Sequence, residues 1–441
     1  MKIGLVQLGC PKNLVDAEVM LGRLAADGHT PVGDGGDPEA LIVNTCGFIE
    51  SAKQESINAI LAALERKKRG EVKRVIVTGC LAQRYAAELV TEMPEIDGLM
   101  GLNEVESITQ YLEKPTLKRK MDPAEYLLSD DSPRIRVTPK SFGYLKISEG
   151  CDNPCGFCAI PNMRGRHRSR SIESLALEAK ALALGGQREA VLISQDTTDY
   201  GSDWSDDGKP RLSELLTALN ATPGLDWIRM MYTWPYRFPV ELMKTVARLE
   251  KVVNYVDVPL QHIAAKVLTA MKRGGDEKRI KQLIDDLRTH IPGVIIRTTF
   301  IVGHPGEGEK EFRALLDFLE FAQFDRAGVF TYSPEEGTTG FVLGDPISAE
   351  IKQERHDAFM QTQSAIMQKK LKKMVGEKMV VHVDGMGEAD DLPVLQGRYY
   401  GQAPEIDGCV ILNGIDAQPG DRVEVEVEAV FEENLLARAA A

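Results

Sequence analysis

Apolar and polar positions alternate in long blocks over the first hundred residues. Three runs that are apolar nearly throughout, "KIGLVQLG", "EALIVNTC" and "KRVIVTGC", are each followed by a helical stretch: "NLVDAEVMLGRLAADG", "ESAKQESINAILAALERKK" and "AQRYAAELVTEM". Apolar strands separated by helices predict a parallel sheet covered on both faces. Asn13 or Asp16 is placed to cap the first helix and Gly28 to end it. Residues 1–113 therefore read as one α/β domain.

Residues 114–140, "KPTLKRKMDPAEYLLSDDSPRIRVTPK", carry charge and proline without sustained periodicity and read as a linker, with room for a short ordered piece. Beyond them come six strand-like runs, "YLKISEG", "AVLISQD", "WIRMMYT", "YVDVPLQ", "VIIRTTFIVG" and "AGVFTYS", separated by helical patterns. Six β/α units predict an open or partial barrel with its chemistry at the C-terminal mouth. A charged helix, "SAEIKQERHDAFMQTQSAIMQKKLKKM", leads outward, so this second domain spans residues 141–372. Residues 373–441 show short alternating runs, "KMVVHVDG", "GCVILNG" and "DRVEVEVEAV", with glycine turns. That pattern suits a small antiparallel barrel of the OB-like kind. The fold class is α/β with this appended β-barrel.

Composition adds little to that outline: 43% hydrophobic and 27% charged residues describe an ordinary globular chain. No apolar run approaches the ~20 residues needed to span a bilayer, and no secretion signal is visible. A cytoplasmic location with reduced thiols is expected. The seven cysteines are then ligands or nucleophiles rather than disulfide partners. Charge changes the picture more. The chain carries a net −13, and residues 375–441 alone hold fourteen acidic against four basic side chains. Such a surface repels nucleic-acid phosphates and attracts a basic partner, although a merely soluble acidic domain explains the charge equally well.

The strongest chemical signal is "EGCDNPCGFCAIP", in which Cys151, Cys155 and Cys158 follow the first barrel strand with the spacing C-x3-C-x2-C. Three thiolates on one loop can hold three irons of a [4Fe–4S] cluster and leave the fourth open for a ligand. Structural zinc sites use four ligands and paired knuckles, and no fourth Cys or His stands at such a spacing; His167 lies inside "RGRHRSR", well past the loop. A second set is less local. Cys10, Cys46 and Cys80 each end a strand of the first sheet, at the edge where ligands bind in such sheets. No His stands beside them to activate a thiol, which favours a second cluster with an open iron over nucleophilic catalysis. Cys409 has no partner pattern and reads as packing.

The cysteine loop resembles the radical S-adenosylmethionine superfamily, in which the open iron binds the amino and carboxylate groups of that cofactor. Phe157 matches the aromatic residue usual before the third cysteine. Other strand ends then become candidate cofactor contacts: Ser194 and Gln195 in "SQDT", Gln261 in "PLQH", and Arg297 and Gly303 in "RTTFIVGHPGE". Each has a bland alternative as loop polarity, a surface arginine or a turn glycine. Over its whole length the chain resembles the methylthiotransferases, through "LGCPKNLVDAE", "VNTCGFIESAKQES", "VTGCLAQR", "YLKISEGCDNPCGFCAIPNMRG", "FIVGHPGE" and "APEIDG". Within that family "GCPKN" and "NTCGFI" are similar to the branch that modifies an aspartate of a small-subunit ribosomal protein, protein twelve near the decoding centre. His304 stands where the family more often has an aromatic residue.

The resemblance implies two [4Fe–4S] clusters, S-adenosylmethionine and an external sulfur source. It implies transfer of a methylthio group to the aspartate β-carbon, with no side chain acting as acid or base. The implied partners are a basic ribosomal protein, free or within the subunit, and an electron donor such as a flavodoxin or ferredoxin; neither a membrane nor a tRNA substrate is expected. Two alternatives stay open. A tRNA adenosine methylthiotransferase is opposed by the acidic tail, and a non-catalytic iron–sulfur protein leaves the six β/α units unexplained. The basic stretch "RGRHRSR", residues 164–170, either steadies a carboxylate or is a solvated loop. The basic "ERKKRG", residues 65–70, reads as a solvated helix end.

Overall fold

The computed structural model describes residues 1–33, 36–389 and 392–440. Five parallel strands form the first sheet: β1 (Lys2–Gln7), β2 (Thr30–Val32), β3 (Ala40–Thr45), β4 (Arg74–Gly79) and β5 (Gly98–Leu99), in the order β2-β1-β3-β4-β5. Its central strand β3 is buried at every position, which is why its sequence shows no polar alternation. Helix Pro11–Ala26 covers one face and helix Glu50–Lys68 the other. The first helix is not started by Asn13 or Asp16. Cys10 occupies its N-cap and Pro11 its first position, where proline's fixed φ suits a helix and its missing N–H costs nothing. Both polar side chains are buried and engaged elsewhere.

The second sheet begins at β6 (Phe142–Lys146), from which a two-strand ribbon, β7 (Ser148–Glu149) and β8 (Arg168–Ser169), branches off. It continues with β9 (Glu189–Ile193), β10 (Trp227–Met230), β11 (Val252–Asp257), β12 (Ile295–Val302) and β13 (Arg326–Thr331). These six lie parallel in simple sequence order, β6-β9-β10-β11-β12-β13, so the sheet is an open partial barrel. Leu145, Leu192, Ile228, Val256 and Ile296 face an outer ring of helices, while Tyr144, Val191, Val253 and Tyr255 face inward. The charged helix, Ala349–Leu371, does not leave the body. Ser348 caps it, and Phe359 and Ile366 bury against the core beside Phe300 and Phe324.

Five strands close the C-terminal barrel: β14 (Lys378–Ala389), β15 (Leu392–Arg398), β16 (Val410–Asn413), β17 (Arg422–Phe431) and β18 (Asn434–Ala439). One pair, β16 with β18, is parallel, so the barrel is mixed rather than purely antiparallel. Closure removes the free sheet edges that an open small sheet would expose.

Buried charges fasten the first sheet to the partial barrel. Asp16 pairs with Lys146 and, at 2.9 Å, with Arg164. Arg134 reaches Glu18 and Glu178 at 2.5 Å each. Glu335 meets Arg84 at 2.8 Å and Lys53 at 3.2 Å. The linker segment is thus packed, with Ala124, Leu128 and the Arg134 side chain buried although it forms almost no regular structure.

Candidate active site

In the first sheet β1, β3 and β4 are neighbours, with Gln7 opposite Asn44 and Thr45 opposite Gly79. The chain therefore leaves all three strands at one edge, and Cys10, Cys46 and Cys80 emerge there together. Gly9 has φ +84°, and a Cβ on it would lie 3.0 Å from the Cys46 sulfur. Gly79, at φ +95°, packs against Thr45 so closely that a Cβ would meet its carbonyl oxygen at 2.4 Å. Ser56 holds Cys46 by accepting its N–H (2.9 Å) and donating to its carbonyl (2.8 Å). Asn13 donates to the carbonyls of Leu8 and Thr45, tying the first two loops to each other.

The loop carrying Cys151, Cys155 and Cys158 faces this edge from the mouth of the partial barrel. Its backbone is fixed by Cys151 N–H to the Gly165 carbonyl (3.2 Å) and Gly156 N–H to the Met271 carbonyl (2.8 Å). Two side chains donate toward sulfur: Asn153 to Cys151 at 3.4 Å and Arg273 to Cys155 at 3.5 Å. Arg273 is itself held by the Pro259 carbonyl and by the face of Trp234, 3.9 Å away.

A single cavity of about 400 Å³ takes in all six cysteines. Phe48, Phe157, Ile160, Met163 and Phe330 give it apolar walls, and Gln195 and Gln261 line it at the ends of β9 and β11. Burial pushes the Cys151 thiol up to about 11 and Cys80 up to about 12. Burial also raises Cys10, but Lys12 and Arg164 outweigh it and leave that thiol below its ordinary value. Thiols pushed up as those of Cys80 and Cys151 are stay protonated unless a bound metal compensates their charge, as metals do for coordinating thiols. The donor set fits iron–sulfur ligation on both sides: three thiols each, with N–H donors aimed at sulfur on the barrel side. It also offers a place for a polar cofactor, since the Gln195 Oε1 atom is buried there without a hydrogen-bond partner while its Nε2 donates to Glu149. Among the described residues no three His, Cys, Asp or Glu side chains form a compact single-ion site of the kind zinc occupies.

Three of the expected cofactor contacts lie elsewhere. Ser194 is fully buried, its hydroxyl 3.1 Å from that of Thr197. Arg297 pairs with Asp257 at 2.8 Å and approaches Asp407 of the "APEIDG" loop at 3.7 Å, inside the partial barrel. Gly303 packs against the Lys352 side chain, again away from the cysteines. His304 is buried edge-on to Tyr332, in keeping with an aromatic position, and burial lowers its pKa. The basic stretch 164–170 is neither a solvated loop nor free for a ligand throughout. Arg164 and Arg170 are buried in ion pairs with Asp16, Glu149 and Glu178, whereas Arg166 is exposed. Lys12, Asn153, Tyr232, Trp234 and Arg273 line the cavity and escaped the sequence reading. Lys12 and Asn153, each two residues after a site cysteine, stood where a search could have found them.

Comparison with known proteins agrees with this geometry. Residues 2–101 match the uncharacterized protein family UPF0004, residues 145–319 the radical SAM superfamily and residues 375–440 the TRAM domain. The ribosomal protein uS12 methylthiotransferase RimO of Desulforamulus reducens is 46% identical over 98% of both chains. The chain belongs to the ribosomal protein uS12 methylthiotransferase family. Another family member so named, from Bdellovibrio bacteriovorus, is 44% identical over 99% of this chain and 96% of its own. The fold, but no more, is shared with the radical S-adenosylmethionine methyltransferase TsrM from Kitasatospora setae. That match has a TM-score of 0.53 at 16% identity and covers 77% of each chain. Like its family, the chain is a radical S-adenosylmethionine enzyme.

Proposed function

We propose that this enzyme adds a methylthio group to the β-carbon of an aspartate in ribosomal protein uS12. The observation that carries the reading is the one cavity lined by two cysteine triads from two different sheets. Cys151, Cys155 and Cys158 would hold the [4Fe–4S] cluster that binds S-adenosylmethionine, and Cys10, Cys46 and Cys80 a second such cluster with an open iron for sulfur. When bound, these groups supply the radical that takes hydrogen from an unactivated carbon and the methylthio group that replaces it.

The chain's own part is to position and to exclude. Asn153 and Arg273 steady the sulfurs of the barrel loop, and the buried pairs of Arg164 with Asp16 and Glu149 hold that loop against the first sheet. The apolar walls limit water in the cavity, which suppresses hydrolytic and proton-transfer side reactions. Tyr232 and Gln261 sit in the cavity with φ of 60° and 70°, conformations that non-glycine residues hold only where the surroundings impose them. Working domains near 1–113, 141–372 and 373–441, a cytoplasmic location and a flavodoxin or ferredoxin donor complete the proposal. No described helix is long and apolar enough to cross a membrane.

The test is anaerobic reconstitution with S-adenosylmethionine, sulfide and a reductant, with uS12 and an anticodon stem-loop RNA offered separately. Mass spectrometry is expected to find the methylthio group on a uS12 aspartate. Modification of the RNA instead would overturn the substrate assignment.

A further inference from the structure

Lys12 carries the one charge on the cavity wall with no hydrogen bond or carboxylate ion pair among the described residues, although the Cys10 thiol acts on it through space. The other charged wall residues are engaged. Arg164 is spent on Asp16 and Glu149, Arg273 on the Pro259 carbonyl and the Trp234 face, and Asp196 on Asn153 and Arg237. The Lys12 ammonium rests 3.1 Å from the centroid of the Tyr232 ring, and the residue is only 6% exposed. A ring face attracts an ammonium but satisfies none of its three donors in the way an oxygen does. Burying a cation without an acceptor is costly, and that cost is relieved when an anion arrives.

We infer that Lys12 is the specificity residue for the substrate: its ammonium receives the side-chain carboxylate of the aspartate that is modified. The inference rests on the proposed function and adds to it the group that selects an acidic side chain. A carboxylate held at Lys12 places the adjacent β-carbon one bond away, inside the space that both triads share. The position of Lys12 on the helix that Cys10 caps puts the carboxylate on the sulfur-donating side of the cavity. Tyr232 narrows the choice of rotamers. Its N–H is fixed by Asp257 at 2.8 Å, and Asp257 is in turn held by Arg297, so the ring that supports Lys12 is itself braced. A neutral amide in place of the carboxylate would leave the ammonium without its counter-charge.

The same chemistry has a second source, the carboxylate of S-adenosylmethionine, and the experiment separates the two. Reconstituted wild-type enzyme is titrated with uS12 and with a uS12 variant whose modified aspartate is asparagine, and the affinities are compared. We expect at least tenfold tighter binding of the aspartate form. Lys12→Met should bind both forms alike and weakly, and Lys12→Arg should restore part of the preference. S-adenosylmethionine affinity is measured on each protein and should move by less than twofold. Equal binding of the two uS12 forms by wild-type enzyme overturns the inference without reference to any variant. So does a tenfold loss confined to S-adenosylmethionine binding, which would assign Lys12 to the cofactor. Failure of wild-type enzyme to modify uS12 at all would instead remove the proposed function.

Discussion

Cys10 and Cys151 stand at the ends of strands in two different sheets, yet both open into one cavity, and their substitution should separate the two stages proposed for the chemistry. Cys10→Ala should still cleave S-adenosylmethionine and lose methylthio transfer, whereas Cys151→Ala should lose both. Deoxyadenosine measured by chromatography and methylthio product measured by mass spectrometry read the two stages, and equal deoxyadenosine from both variants would refute the division. These cysteines were legible in the sequence because chemistry confines them. One set has a fixed local spacing, and the other recurs at the same point of three β/α units. Ser194 and Gly303 follow equally suggestive strand ends and Arg297 stands near the start of β12, but all three belong to the fabric of the partial barrel. Lys12, Tyr232 and Arg273 belong to no repeated pattern. Their importance arises from contacts between residues more than a hundred positions apart, which spacing along the chain does not encode.

At the scale of elements, segment 114–140 shows how charge can mislead. Its charge and proline read as a linker, yet the Arg134 side chain is 5% exposed and joins Glu18 of the first helix to Glu178 of a barrel helix. Removing one member of a buried ion network leaves the others uncompensated, at a cost of about 3–5 kcal/mol. Arg134→Ala should therefore lower the urea midpoint of unfolding markedly; a shift equivalent to less than about 1 kcal/mol would show the network to be dispensable. A different element supplies a pH dependence. On β14 the His382 ring stacks on Trp227 with 3.7 Å between centroids, and burial pushes its imidazole down to about 4. The folded protein keeps this ring neutral while the unfolded chain takes up a proton near pH 6.5. The contribution is thus whole above that pH and is lost as pH falls toward 4, amounting to about 3 kcal/mol in all. Neither ring nitrogen has a hydrogen-bond partner, and the Asp226 carboxylate, 3.5 Å from Nε2, attracts the ring only once it is protonated, so His382→Phe keeps the stack and forfeits no hydrogen bond of the neutral ring. The difference in stability between wild type and this variant should grow in favour of the variant across that window. A constant difference from pH 7 to pH 4 would exclude His382 as its source.

For the whole molecule, the class of each body followed from hydrophobic pattern, because a parallel sheet needs apolar runs and a small barrel needs alternation, but the short strands β2 and β5 and the parallel pairing of β16 with β18 did not. How the three bodies face one another did not follow. That depends on single buried pairs such as Arg229 and Arg398 sharing Glu189, at 2.5 and 2.7 Å, which link the partial barrel to the C-terminal barrel. Once docked, the C-terminal barrel presents its charge outward. On β17 Val425 and Val427 point into the barrel, while Glu424, Glu426 and Glu428 face out, and Arg438 pairs with Glu426 and Glu428 at 3.3 and 3.4 Å. An acidic stripe accelerates encounter with a basic protein and opposes RNA, and both effects are screened by salt. Binding of uS12 should weaken as ionic strength rises from about 0.05 to about 0.3 M, across which the screening length falls through ~10 Å. Reversing the stripe with Glu424→Lys, Glu426→Lys and Glu428→Lys should slow uS12 association by about tenfold, with less effect on dissociation. The same variant should gain a salt-sensitive affinity for an anticodon stem-loop. Surface plasmon resonance at two salt concentrations separates these rates. An unchanged association rate would mean that the stripe only keeps the enzyme soluble and that uS12 docks on another face.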